Sequence, residues 1–153
     1  MYNYSEKSMT RKKVIQDKKK LERTAEDSMV EIFEGKLPPN ATELEIQVLG
    51  AIMLDSMVFA DIASILKSEY LYKNAHRIIF SSMVNLDTRN EDLDALSVIE
   101  ELKRMGKLDA AGGVEYILRI TESIASSASA KRYARIIYEK YVLRELINIA
   151  KEL

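Results

Sequence analysis

The stretch at residues 96–117, LSVIEELKRMGKLDAAGGVEYI, decides how this chain is to be read. Leu96, Ile99 and Leu102 recur at the spacing of one buried helix face, and Asp94 just upstream is a good N-cap. The spacing predicts a helix over about 95–105. Gly106 stands where that helix must leave through a left-handed residue, a conformation glycine adopts without a Cβ clash. After Lys107-Leu108-Asp109, the Gly112-Gly113 pair makes a tight turn and opens another helix reaching about Ala125. The unit reads as helix, cap, turn and helix.

Working upstream, 74–86 carries the apolar stripe Ala75, Ile78, Ile79, Met83 and Leu86, with a polar loop at 87–94 after it. A short helix over about 58–66 and a loop at 67–72 come before. Thr42-Glu43-Leu44-Glu45 fits a capping box, with Thr42 and Glu45 satisfying free backbone N–H groups. The helix it starts reaches about Leu54 and buries Leu44, Val48, Leu49 and Ile52. Before it, Leu37-Pro38-Pro39 forces an extended step, because a proline disfavours helix at the residue preceding it. Residues 1–36 therefore read as a separate leader. Leu21, Ala25, Met29 and Ile32/Phe33 hint at a short amphipathic helix within it.

Downstream, Ser126-Ser127-Ala128-Ser129 is a turn of small residues, predicting a tight helical hairpin over about 112–153. At 100° per residue, Ile136, Ile137, Leu143, Ile147 and Ala150 cover one side of the last helix. Ala134, Tyr138, Tyr141, Val142, Leu146 and Ile149 cover the other. A surface helix of a monomer keeps one broad polar face. Apolar residues on two sides call for two partners, one of them another subunit. Tyr133, Ile136, Ile137, Tyr141, Leu143, Leu146 and Ile147 are the candidate interface residues. The helix runs out at Lys151-Glu152-Leu153 without a cap or breaker, so the chain is expected to be cut mid-element.

Bulk composition agrees. Five glycines and two prolines in 153 residues are too few for the frequent turns of an all-β chain, so the expected class is all-α. With 7% aromatics and no tryptophan, the core must be aliphatic. No cysteine is present, which excludes disulfides and thiolate metal sites. No apolar run approaches the ~18 residues of a membrane span, and the basic N-terminus lacks a signal peptide's hydrophobic stretch. The cytoplasm is the simplest compartment. Residues 1–23 hold eight basic and three acidic groups, a net +5 in a chain of −1. A basic leader of this kind is usually solvated, though it can touch phosphates through counterion release. A helical nucleic-acid-binding module is therefore the alternative reading.

Catalytic chemistry is thin. No G-x-x-x-x-G-K-[ST] loop occurs, and Gly35-Lys36 and Gly106-Lys107 are isolated pairs. ATP binding and hydrolysis are not expected of this stretch, nor is any other cofactor. His76 is the only candidate general base, and its apolar helical surroundings favour a packed or hydrogen-bonded structural role. Glu100-Glu101 reads as a solvated face, and Glu43/Glu45 as a helix N-terminus. Tyr133, Tyr138 and Tyr141, near Arg132, Arg135 and Lys140, have the makings of a base-stacking surface, but burial in the hairpin contact is favoured.

With these elements in place, the chain from Pro38 to Leu153 resembles the N-terminal domain of DnaB-type replicative helicases. LPPNATELEIQVLGAIMLD is similar to the family's Pro-ended leader and first helix. YLYKNAHRIIFSSMVNL resembles its aromatic pair, His-Arg and Ile-Phe, here Leu71-Tyr72, His76-Arg77 and Ile79-Phe80. Leu102, Gly106, Leu108, Gly112, Gly113 and Tyr116 fit its glycine-bearing run, and YARIIYEKYVLRELI its last helix. The chain departs in lacking prolines near Lys67-Ser68 and around Ser127. The resemblance implies a small helical globule followed by a helical hairpin that pairs between subunits into the collar of a hexameric ring. It further implies binding of the primase C-terminal domain, contact with a helicase loader, and single-stranded DNA passing through the full ring. ATP, magnesium and translocation would belong to an ATPase domain that this stretch lacks.

Overall fold

The structure, a computed structural model, describes residues 38–153 together with 11–13, 15 and 16. The rest of the leader, with the helix expected around Leu21 to Phe33, lies outside the described residues. Two compact units divide the chain, Met1–Pro38 and Pro39–Leu153, and the second carries everything that follows. Its helices are α1 (Thr42–Leu54), α2 (Phe59–Ala63), α3 (Asn74–Thr88), α4 (Ala95–Arg104), α5 (Gly113–Glu122) and α6 (Ala130–Glu152). Short 3₁₀ turns at Ser56–Val58 and Ser68–Tyr70 complete the order, with no strand among the described residues. The all-α class is the observed one.

α1 is the hub. Val48, Leu49, Gly50, Ala51, Ile52 and Met53 are all buried, so the helix is covered on nearly every side. α3, α5 and α6 each pack against it. Gly50 is what lets α5 approach, because a Cβ there would collide with Ile124 and lie 2.9 Å from the Ile120 carbonyl oxygen. α4 packs against α3 and α5. Its N-cap is Asp94, whose carboxylate accepts the Ser97 N–H at 2.8 Å. It ends as the glycine required, with Gly106 at φ 68 and Lys107 N–H reaching back to the Leu102 carbonyl at 2.9 Å.

Several local expectations are corrected. The capping box does not form: Ala41 is the N-cap, and the Thr42 hydroxyl donates backward to Asn40 Oδ1 at 2.8 Å. Glu45 turns into the protein, where stronger donors wait. On α4, Val98 faces the core in place of Leu96, which is 69% exposed. The buried stripe is Val98, Ile99, Glu101 and Leu102, and the paired charge of Glu101 lets it occupy a position that composition assigned to solvent. The helix expected at 58–66 is the shorter Phe59–Ala63, preceded by a 3₁₀ turn, Ser56–Val58, that Asp55 starts by accepting the Met57 N–H at 3.1 Å. α5 stops at Glu122, short of Ala125.

The hairpin is modified too. α5 and α6 follow one another through the small-residue turn, but each packs on α1 rather than along the other. Gly50 gives α5 its bed on one flank of α1, and Ala130, Ala134 and Ile137 bury the start of α6 against the globule.

Candidate functional site

α6 changes character along its length. Its first half is held: Ala134 and Ile137 are buried, and Tyr133 packs against the core. Midway, Tyr141 stacks on Tyr70 with ring centroids 4.3 Å apart, and Tyr138 meets the same ring at 5.5 Å. Burial and the neighbouring Glu145 and Glu69 carboxylates push the Tyr141 phenol upward from its ordinary pKa. Arg144 is the last residue the globule holds; 145–153 are exposed throughout. Leu146 is 56% and Ile149 54% exposed, with Leu143 and Ile147 also turned to solvent.

The predicted interface set is therefore divided. Leu143, Leu146 and Ile147 stand on the exposed arm. Ile137 is corrected: at 1% exposure it belongs to the intramolecular core, because Ala130, Ala134 and Ile137 share the face that meets α1 and α2. Tyr133 and Tyr141 also serve the globule, and Ile136 is half-buried. Ile149, outside the expected set, is as exposed as Leu146. Periodicity places Ile149 on the second apolar side but does not show that the helix is buried by length, proximal part in and distal part out.

Beneath α6 lies a buried polar chain. Glu45 Oε2 accepts the Tyr72 N–H at 2.7 Å and Oε1 the Lys73 N–H at 3.3 Å, just where α3 begins. His76 Nδ1 lies 2.8 Å from Glu45 Oε1, and His76 Nε2 lies 2.6 Å from the Tyr116 hydroxyl. A carboxylate only accepts, so Nδ1 carries the proton, and in the neutral ring Nε2 accepts from Tyr116. Glu45 and His76 are fully enclosed, and every buried side-chain polar atom among the described residues has a partner. His76 thus bolts α1, α3 and α5 together, a structural role.

A second buried carboxylate is Glu101: of the Glu100-Glu101 pair expected on a solvated face, Glu100 is exposed and Glu101 is not. Glu101 accepts from Arg104 at 2.7 and 2.9 Å, from Arg89 at 2.6 Å and from Asn85 at 3.2 Å. Hydrogen bonds from Arg104 and then Arg89 hold its carboxyl down to about 2, against the opposing effect of burial. A cleft of about 940 Å³ beside it is lined by Arg89, Leu96, Lys103 and Arg104, and its charges pair with Glu91, Glu100 and Glu101. No group of three metal-binding side chains occurs among the described residues, and no single helix there is long and apolar enough to cross a membrane.

Among the described residues, this geometry offers a packed globule bearing an apolar helical arm. Against known proteins, residues 37–139 match the family model for the DnaB-like helicase N terminal domain. The chain belongs to that family. The replicative DNA helicase DnaB of Geobacillus stearothermophilus is 38% identical over 122 residues, covering 80% of this chain and 27% of that protein. The chain thus spans about a quarter of that curated DnaB. Among solved structures, the N-terminal domain of DnaB helicase from Mycobacterium tuberculosis aligns with a TM-score of 0.74 at 32% identity, over 76% of this chain and 81% of that one. A DnaB-like replicative helicase described with its interactions with primase aligns at a TM-score of 0.63 and 26% identity, over 71% of this chain and 26% of that one. The span matched by the DnaB family model ends at Glu139, before the exposed arm begins.

Proposed function

We propose that this chain is the scaffold domain of a hexameric replicative helicase, associating with copies of itself through the distal half of α6 and offering a surface to primase. The observation that carries the reading is the apolar arm: four large aliphatic side chains, Leu143, Leu146, Ile147 and Ile149, stand in water on a helix whose other half is packed. Exposed apolar area of this kind on a folded domain marks an association surface. Membership of the DnaB N-terminal family and the primase named for one structural neighbour support the choice of partners. ATP hydrolysis with magnesium, translocation along single-stranded DNA and loader contact belong to the longer helicase, acting in the cytoplasm. This stretch supplies assembly and partner binding.

Light scattering across a concentration series, with and without the primase C-terminal domain, tests the proposal. Mass rising with concentration, and a complex with primase, are the expected results. A monomer at every concentration that also ignores primase would sink it.

A further inference from the structure

We infer that Arg144 is the positioning residue that sets the direction in which the exposed end of α6 leaves the globule. Its guanidinium sits at the boundary between held and bare helix, since every residue after it is exposed. One terminal nitrogen, Nη1, donates to the Pro39 carbonyl at 2.9 Å, and the other, Nη2, donates to the Tyr70 carbonyl at 2.7 Å. These acceptors lie 105 and 74 residues away in sequence, on segments that share no helix. Pro39 is itself buried ahead of α1, and Tyr70 closes a 3₁₀ turn. The guanidinium also lies over the Tyr72 ring at 5.3 Å and the Tyr141 ring at 5.9 Å.

Each contact constrains something different. Tyrosine rings stacked on Tyr70 hold α6 close but let it slide and roll, because dispersion is weakly directional. Hydrogen bonds from two corners of one planar group to two separate backbone segments remove that freedom. They fix both the roll of the helix about its axis and its tilt against the globule. A lysine, a single point charge on a flexible stem, cannot reproduce a two-point planar grip. The roughly eight helical residues described beyond Arg144 span about 12 Å at helical rise, so an angular error at the grip becomes a displacement that grows along the arm. Symmetric association tolerates little displacement, because the same patch must match itself on each copy. That consequence rests on the self-association reading above, whereas the direction of the arm does not.

The chain has no cysteine, so two introduced ones label cleanly. Lys107→Cys and Asn148→Cys, both at exposed positions, place spin labels on the globule and the arm, and pulsed dipolar spectroscopy on dilute samples reads the distance within one chain. The expected result is one narrow distance in the otherwise unaltered chain. It broadens or shifts in both Arg144→Gln and Arg144→Lys while helix content and melting temperature in Arg144→Lys stay near the parent, and self-association weakens roughly tenfold. If Arg144→Gln melts early, Arg144→Lys decides alone, since it keeps the charge and the apolar stem. A distance distribution in Arg144→Lys indistinguishable from the parent overturns the inference, as does a loss of association that follows lowered melting with the distance unmoved. A parent chain that stays monomeric removes the association reading but leaves the distance measurement to judge Arg144.

Discussion

Glu45 and Glu101 are the two carboxylates that the described residues keep from water; Glu45 ties α1 to the head of α3, and Glu101 ties α4 to the end of α3. Removing Glu45 strips an acceptor from two backbone N–H groups and from His76 at once. Glu45→Ala is expected to cost roughly 2–4 kcal/mol, and Tyr116→Phe, which deletes only the far link, about 1 kcal/mol. Urea denaturation at constant m checks both; equal midpoints for the two variants would show that the chain is not load-sharing in this order. Glu101 makes the pH prediction. Its folded pKa of about 2 lies below the ordinary 4.5, so the folded state binds this proton less readily than the unfolded chain. Its contribution is complete above about 4.5 and fades as pH falls toward 2. Glu101→Gln should lower stability at pH 7 and flatten the acid limb between pH 5 and 2; a variant with an unaltered acid limb would remove the argument. Neither carboxylate was legible as buried, because an acidic residue in a helix reads as solvated until its partners are known. The N–H groups at the head of α3 reach Glu45 only through tertiary packing; Glu101 has Arg104 as a local i,i+3 neighbour on α4, but Arg89 and Asn85 reach it only when the end of α3 packs against α4.

Helices were far more legible, for a physical reason: their starts and stops are encoded locally. Asp94 and Gly106 bracket α4 as read, and Gly112 and Gly113 take left-handed angles that other residues adopt at a cost. What escaped was which flank each helix presents. The small-residue turn before α6 was taken to fold α5 and α6 together, yet the glycine that decides α5's place sits in α1. Gly50→Ala tests this at the level of the element. The added methyl meets Ile124 and the Ile120 carbonyl, so a loss of about 1–3 kcal/mol is expected from overpacking. Alanine otherwise favours helix, so a melting temperature at or above the parent's would show that α5 does not rest there.

For the whole molecule, the division of α6 into held and bare halves yields opposite outcomes for similar substitutions. Ile137→Asp puts a charge in the closed core and is expected to unfold the domain or lower its stability by several kcal/mol. Leu146→Asp and Ile149→Asp should leave melting unchanged within about 0.5 kcal/mol and weaken self-association. Sedimentation velocity beside thermal melting separates the two classes; an associating Leu146→Asp variant would place the contact elsewhere. The interface was half visible in the sequence, since apolar positions on two sides of a helix announce more than one partner, but periodicity carries no information on how far along a helix its own globule reaches.

The central place of α1 also bears on how the domain is made. α1 leaves the ribosome first among the helices of the second unit, and its last cover arrives only with α6, about 75 residues later. At ordinary elongation rates that leaves one flank of a greasy helix bare for on the order of 4 to 15 seconds. Nascent chains halted before Ala130 should therefore be strong clients for a ribosome-associated chaperone, and those released past Ile137 should not.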